Sequence, residues 1–219
     1  MAKLKHKVYL VENHPVTRDG FAGLINSQQD LLCCGLAGTA AKALTEIEVI
    51  EPDLVILDLF LPDGHGIEFI KDLIVRRPNQ RILVLARHDE QLYAARALRA
   101  GAKGYVMKQE STNVVMSAIR KVLRGETYLS PELQYKILGQ FAGEQTNGSR
   151  STIEELTDRE IEVFELIGHG LSTHEISSRL RLSSSTVETY RGRLKDKLEL
   201  SGATKLTHRA VEWVNGQKG

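Results

Sequence analysis

Leu54, Val55, Ile56 and Leu57 form an unbroken apolar run that stops at Asp58, after which Pro62-Asp63-Gly64 turns the chain. A run without polar alternation is what a β-strand shows when helices cover both faces of its sheet. Open parallel sheets gather their ligands beyond the carboxyl ends of their strands. Taken alone, Asp58 reads as a turn or helix cap. Its company changes that reading, because acidic Glu12 and basic Lys108 also stand just after short apolar runs.

Around that run the chain alternates. Strand patterns cover 7–11, 31–37, 53–58, 81–85 and 104–107; helical patterns cover 15–27, 40–50, 66–76, 90–99 and 112–124. Pro15 suits a first helical turn, Thr39 an N-cap, and Gly101 a helix stop. Five such βα units in about 120 residues predict a doubly wound five-stranded parallel sheet, an α/β fold. No glycine-rich phosphate fingerprint follows the first strand, and neither a serine nucleophile elbow nor a metal-type His/Cys cluster is present.

Three strand ends thus offer Glu12-Asn13, Asp58 and Lys108. Carboxylates with a backbone carbonyl make a hard oxygen site suited to Mg²⁺ that keeps several waters. A lysine opposite neutralises a phosphoryl group as a point charge, and an Asp carboxylate can itself attack phosphorus to give an acyl phosphate. The residues therefore read as a magnesium-assisted phosphoacceptor, in which positioning and charge neutralisation carry the chemistry. His14, His65 and His88 fall on loop edges, where solvated or locally bonded imidazole is the expectation rather than a metal site.

VENHP, LVILDLFLPDGHG and GAKGYVMK resemble the receiver domain of two-component response regulators over residues 1–124. The resemblance implies Asp58 as phosphoacceptor, Lys108 as the phosphoryl-contacting lysine and Tyr105 as the aromatic switch residue. It also implies Mg²⁺ held by Glu12, Asn13, Asp58 and the backbone carbonyl of Phe60. Two residues depart from the family. Asn13 stands where an Asp usually ligates the metal, and brings oxygen without charge. Ala86 stands where a Ser or Thr hydroxyl usually bonds the phosphoryl oxygen and couples it to the switch.

Residues 125–152 change character. Ser130-Pro131 opens a short helical pattern over 131–141, and GEQTNGSRST then reads as a polar, flexible linker. From residue 153 to 219 only helical periods remain. Thr157 with Glu160, and Ser172 with Glu175, form capping boxes. Ser183–Ser185 opens a third helix with core positions Val187, Leu194 and Leu198, and 203–215 is a fourth. Short helices joined by a Gly turn and a Ser-rich turn match a helix-turn-helix.

Charge assigns this second domain its task. The whole chain carries a net charge of +1, so a nucleic-acid site must be local. Arg179, Arg181, Arg191, Arg193, Lys195 and Lys197 cluster on and just before the third helix, while 151–178 is acidic. Phosphate contact requires such a concentration of positive charge. LTDREIEVFELIGHGLSTHEISSRLRLSSSTVETYRGRLKDKLEL is similar to the LuxR-type helix-turn-helix, and with the receiver it resembles the NarL/FixJ transcription factors. The resemblance makes 184–198 the recognition helix and 203–215 a dimerising helix. Glu188 and Thr189 are then candidates for base edges, and Thr186, Tyr190, Arg191, Arg193 and Lys195 for phosphates.

The expected function is a transcriptional response regulator, not an enzyme. It binds double-stranded DNA, pairs as a homodimer on it, and receives phosphate from a sensor histidine kinase or a small phosphodonor. Two alternatives stand beside it: a receiver regulated without phosphorylation, and more remotely a phosphatase-like hydrolase. No apolar run approaches the ~20 residues of a membrane span, and the N-terminus lacks signal-peptide features. Cys33 and Cys34 are adjacent in a strand pattern and cannot readily pair; as buried free thiols they fit the reducing cytoplasm.

Overall fold

Each apolar run becomes a strand of one parallel sheet in the computed structural model, which describes residues 5–87, 90–135, 153, 155–180 and 182–216. The strands are β1 (His6–Val11), β2 (Leu31–Ala37), β3 (Leu54–Leu57), β6 (Ile82–Ala86) and β7 (Gly104–Met107). Their spatial order is β2-β1-β3-β6-β7, all parallel. Helices α1 (Pro15–Asn26), α2 (Ala40–Ile50), α3 (Gly66–Arg76), α4 (Glu90–Ala100) and α5 (Thr112–Leu123) make the crossovers. The order reverses between β1 and β3, which is where a doubly wound sheet opens a crevice at its carboxyl edge. Central β3 is buried along its whole length, as its unbroken apolar sequence predicts. Leu10, Ile56, Leu83, Val106 and Ile119 belong to the core on one face.

Local sequence explains the boundaries. Thr39 Oγ1 accepts from the Lys42 N–H and caps α2, and Gly101 ends α4 at φ +119°, a conformation costly for any residue with a Cβ. Three details differ from the sequence reading. The loop after β3 contains a two-residue hairpin, β4 (Phe60–Leu61) against β5 (Gly64–His65); pairs this short leave no periodic trace. The β1–β2 register shifts after Val8, so that Cys34 is the extra residue of a bulge. Both cysteines are free and half-buried rather than fully enclosed. After α5 the chain returns along the edge strand: the Tyr105 N–H donates to the Tyr128 carbonyl, and the Tyr128 N–H to Lys103, each at 3.0 Å. An otherwise unpaired sheet edge is thereby covered.

Residues 131–135 are helical, with Ser130 Oγ accepting from the Leu133 N–H at 3.2 Å as the sequence predicts. The remainder of that expected helix and the linker lie outside the described residues. The chain forms two compact units, 1–142 and 143–219. The second contains α6 (Asp158–Gly168), α7 (Thr173–Leu180), α8 (Ser184–Lys197) and α9 (Ala203–Gly216). Both expected capping boxes are present, Thr157 with Glu160 and Ser172 with Glu175. Val187 and Leu194 of α8 are fully buried, as are Ile161 and Phe164 of α6, Ile176 of α7 and Leu206 of α9. Among the described residues, no helix is long and apolar enough to cross a membrane.

Candidate functional site

Parallel register carries three distant residues to one edge of the sheet. Val11 pairs with Leu57, and Ala86 with Met107. The next residue on each of β1, β3 and β7 is then Glu12, Asp58 or Lys108. Backbone bonds hold these exits: Asp58 N–H to the Val11 carbonyl at 2.9 Å, and Lys108 N–H to the Ala86 carbonyl at 2.7 Å. The side chains converge. Lys108 Nζ donates to Glu12 Oε2 at 2.5 Å and to Asp58 Oδ2 at 2.7 Å. All three are nearly enclosed, with side-chain exposures of 6% for Lys108, 1% for Glu12 and 4% for Asp58.

Two buried carboxylates against one ammonium leave an excess of negative charge, and the pair divides its effect unequally. Burial drives the Asp58 carboxyl above the usual carboxylate range; Lys108 pulls it back, Glu12 repels it further, and the net is upward. Burial also pushes Glu12 upward. There the Lys108 ammonium, the His14 N–H and the His14 ring together prevail, and its carboxyl lies below the ordinary range. A site with surplus buried negative charge is suited to a cation.

Neighbouring residues fix the acceptor loop. The Phe60 N–H donates to Asp58 Oδ1 at 3.3 Å. Gly66 opens α3 directly against the strand exit: a Cβ there would lie 2.6 Å from Leu59 Cα and 3.1 Å from the Asp58 carbonyl. Asp63 in the hairpin turn accepts from the Ala40 and Ala41 N–H groups at 2.8 and 2.9 Å, so the turn caps α2 from a distance. Arg18 donates to the Glu12 carbonyl at 3.2 Å. Sequence reasoning missed both of these, because each is a contact between elements with no local pattern.

Asn13 Oδ1 is buried and accepts no hydrogen bond among the described residues. Such an acceptor matches a metal-ligand set of oxygens, and with Glu12 and Asp58 it fits a divalent cation. Ala86, the last residue of β6, and Tyr105, the second of β7, are both fully buried. His65, expected on a loop edge as a solvated or locally bonded imidazole, is buried and locally bonded; its Nδ1 caps α3 by accepting from the Ile67 N–H at 3.1 Å. Its ring meets Phe60 and Tyr93 in an aromatic cluster with centroids 5.2 to 6.0 Å apart. His88 lies outside the described residues.

In the second unit, α8 follows α7 after a short turn, as in a helix-turn-helix. Ser183 Oγ caps α8 by accepting from the Thr186 N–H at 3.1 Å. Glu188 and Thr189 are exposed next to one another. The Thr189 hydroxyl donates to the Ser185 carbonyl at 3.0 Å. Glu188 accepts from the Thr173 hydroxyl at 2.6 Å, and its other near partner is Arg191, 3.7 Å away. Arg193 is exposed beside the Tyr190 ring, 5.9 Å from its centroid. Lys195 is half-buried and Thr186 sits within the capping cluster of Ser183.

The basic cluster read from the sequence divides on inspection. Lys197 donates to Glu160 Oε2 at 2.7 Å and ties α8 to the start of α6. Arg191 is largely covered, with 15% side-chain exposure, and Arg181 lies outside the described residues. Arg159, unnoticed in the sequence, donates to the Leu180 carbonyl at 3.0 Å and satisfies the end of α7.

Comparison with known proteins agrees with this geometry. The response regulator receiver domain matches residues 8–120, and the luxR family of bacterial regulatory proteins matches residues 154–210. The chain is 30% identical over 210 residues to the oxygen regulatory protein NreC of Staphylococcus carnosus, covering 94% of this chain and 97% of NreC. It is 35% identical over 205 residues to the transcriptional activator protein ExaE of Pseudomonas putida, covering 94% and 95%. Among solved structures, a LuxR-family response regulator from Aurantimonas sp. SI85-9A1 aligns at TM-score 0.59 and 30% identity, over 63% of this chain and 99% of that one. RcsB of Salmonella enterica, solved on a promoter with a phosphomimetic, shares the fold at TM-score 0.70 and 20% identity, over 94% and 98%. With a receiver fold in one unit and a LuxR-type helix-turn-helix in the other, the chain belongs to the NarL/FixJ family of DNA-binding response regulators.

Proposed function

We propose that Asp58 is the phosphoacceptor through which this regulator is controlled, with Lys108 as its electrostatic partner. The observation that carries the reading is the convergence of Lys108 on Asp58 and Glu12 in a nearly enclosed pocket. Glu12, Asn13, Asp58 and the Phe60 carbonyl would hold Mg²⁺. Bound there, the cation supplies positive charge against the phosphoryl oxygens. An Asp58 oxygen attacks phosphorus, the P–O bond to Asp58 forms, and the bond to the phosphodonor's leaving group breaks. Lys108, already within hydrogen-bond reach of Asp58, then pairs with the new phosphoryl group. With Ala86 supplying no hydroxyl, Tyr105 responds to packing around the acceptor loop alone.

In the same reading residues 1–124 act as the receiver, 125–152 as the linker, and 153–219 as the DNA-binding domain. Glu188 and Thr189 address base edges. The Thr189 hydroxyl is engaged by its own helix, so its methyl is what it offers, and a thymine methyl is the fitting partner. Arg193, Lys195 and Tyr190 meet phosphates, Arg191 and Thr186 chiefly support the helix, and α9 pairs two copies on DNA. The protein acts in the cytoplasm, receives phosphate from a sensor histidine kinase or a small phosphodonor, and is not a turnover catalyst.

Intact mass after incubation with a small phosphodonor and Mg²⁺ tests the reading. A single phosphate gained by the parent and lost in Asp58→Ala supports it. Equal gain in both proteins contradicts it.

A further inference from the structure

We propose that strand β7 hands the state of Asp58 to a backbone strap at residues 127–129, and through it to the linker that follows. The proposal rests on the phosphoacceptor reading above and concerns what carries its signal away from the cleft. β7 closes one side of the five-stranded sheet, and both of its ends are engaged. The residue after it, Lys108, donates to Asp58 Oδ2 at 2.7 Å. At its other end Gly104 bridges to Tyr128 in parallel register. The Tyr128 N–H donates to the Lys103 carbonyl and the Tyr105 N–H to the Tyr128 carbonyl, each at 3.0 Å.

Local residues put the strap there. Gly125 follows α5 at φ +84°, a left-handed turn that sends the chain back along β7. Lys121 Nζ stands over the Tyr128 ring, 5.6 Å from its centroid. Leu129 is buried, and its carbonyl accepts from Gln134 Nε2 at 2.7 Å. The strap is thereby tied to helical residues 131–135, which open the linker.

The Lys108 side chain is only 6% exposed, so its ammonium has little room to re-aim by itself. A phosphoryl group on Asp58 puts new bulk and charge between that carboxylate and the ammonium. The displacement then falls on the Lys108 backbone, whose N–H is held by the Ala86 carbonyl at 2.7 Å. β7 is paired with β6 from Leu83 to Ala86, and packed elements shift as units rather than deforming residue by residue. The strap, by contrast, is held to β7 by two backbone bonds, the kind of attachment that opens locally at low cost. A small shift of the strand is therefore enough to loosen or tighten it. With Ala86 bringing no hydroxyl to the acceptor, the β7 backbone is the direct covalent route from Lys108 to Tyr105 and the strap.

The test uses the full chain with a small phosphodonor and Mg²⁺, for the parent, Gly104→Ala and Tyr128→Ala. The Gly104 φ lies outside the left-handed region, so alanine suits its backbone. The added Cβ would lie 3.0 Å from the Tyr128 carbonyl and 2.8 Å from Leu83 Cδ1, which pushes on the strap. Tyr128→Ala removes the ring under Lys121 instead. Intact mass, amide hydrogen exchange over 103–107 and 126–130, and affinity for a duplex selected from a random pool are measured together. In the parent, phosphate gain should change exchange at the Tyr105 and Tyr128 amides and move affinity about fivefold or more, as for an ordinary coupling between sites. Both variants should gain the same phosphate, with the affinity change reduced to less than about twofold.

Parent exchange at those amides that is the same with and without phosphate overturns the proposal without recourse to a variant. So does a phosphorylated parent whose affinity does not move, or either variant phosphorylated and still responding as the parent does. These results leave the phosphoacceptor reading in place. Variants that fold but gain no phosphate overturn the proposal as well, because the strap then shapes the acceptor site rather than reading it. A parent that gains no phosphate removes the phosphoacceptor reading and this proposal together.

Discussion

The Lys108 ammonium donates to Asp58 Oδ2 at 2.7 Å although the two residues stand 50 positions apart in the chain. The same ammonium reaches Glu12, so one cation is shared by two enclosed carboxylates. Removing it should be costly. Lys108→Ala leaves both carboxylates buried without a partner and is expected to lower unfolding free energy by about 3–5 kcal/mol. Asp58→Asn keeps the shape and removes one of the two repelling charges, so it should be neutral or stabilising. Urea unfolding without divalent cations compares the two; a stabilised Lys108→Ala would contradict this charge balance.

Asn13→Asp restores a charged ligand beside Glu12. Mg²⁺ affinity should rise on the order of tenfold, because ligand charge sets the strength of a hard oxygen site. Without cation the same variant adds to the surplus of negative charge and should be less stable than the parent. Calorimetric titration and thermal unfolding, run side by side, test the opposite signs.

How much of this was legible before any coordinates depended on how local each cause was. Leu54–Leu57 announces a doubly covered strand by composition alone, and its abrupt end marks Asp58. Thr157 with Glu160 announces a helix start by a three-residue spacing. The bonds from Asp63 to the start of α2 and from Lys197 to Glu160 join elements that no spacing relates. Two-residue strands such as Phe60–Leu61 are too short to show a period. The local bond of His65 to Ile67 follows from its place before α3, but its burial does not, because Phe60 and Tyr93 meet its ring from other elements.

Glu160 should make the helix-turn-helix unit sensitive to acid. Burial pushes its carboxyl upward, but the bonds from Lys197 and Thr157 prevail and hold it below the ordinary range. A carboxyl depressed in the folded state stabilises at pH values above its unfolded pKa, near 4. That contribution is lost as pH falls through the lower folded value. Trp213, the single tryptophan, lies 5.4 Å from the Phe164 ring and reports on this unit. Acid titration followed by its fluorescence should show a transition that weakens in Glu160→Gln. That variant should also lose about 1–3 kcal/mol at neutral pH.

Two substitutions in α8 separate positioning from specificity. Arg193→Ala should weaken binding to every duplex alike and reduce the salt slope by about one unit. Thr189→Ser removes a methyl and keeps the hydroxyl that bonds Ser185, so about 1 kcal/mol should be lost at one base position only. Binding measured across salt concentrations and across single-base variants of a selected duplex distinguishes them. Uniform loss from Thr189→Ser would place that residue on the phosphates instead.

The central claim is that chemistry at Asp58 governs DNA binding by α8. Its most direct test is fluorescence anisotropy of the full-length protein on a duplex selected from a random pool. Affinity is measured with and without a small phosphodonor, at fixed salt and Mg²⁺, for the parent and Asp58→Ala. The predicted result is a phosphodonor-dependent change in affinity for the parent and none for the variant. An identical change in both proteins, or a phosphorylated parent whose affinity does not move, would contradict it.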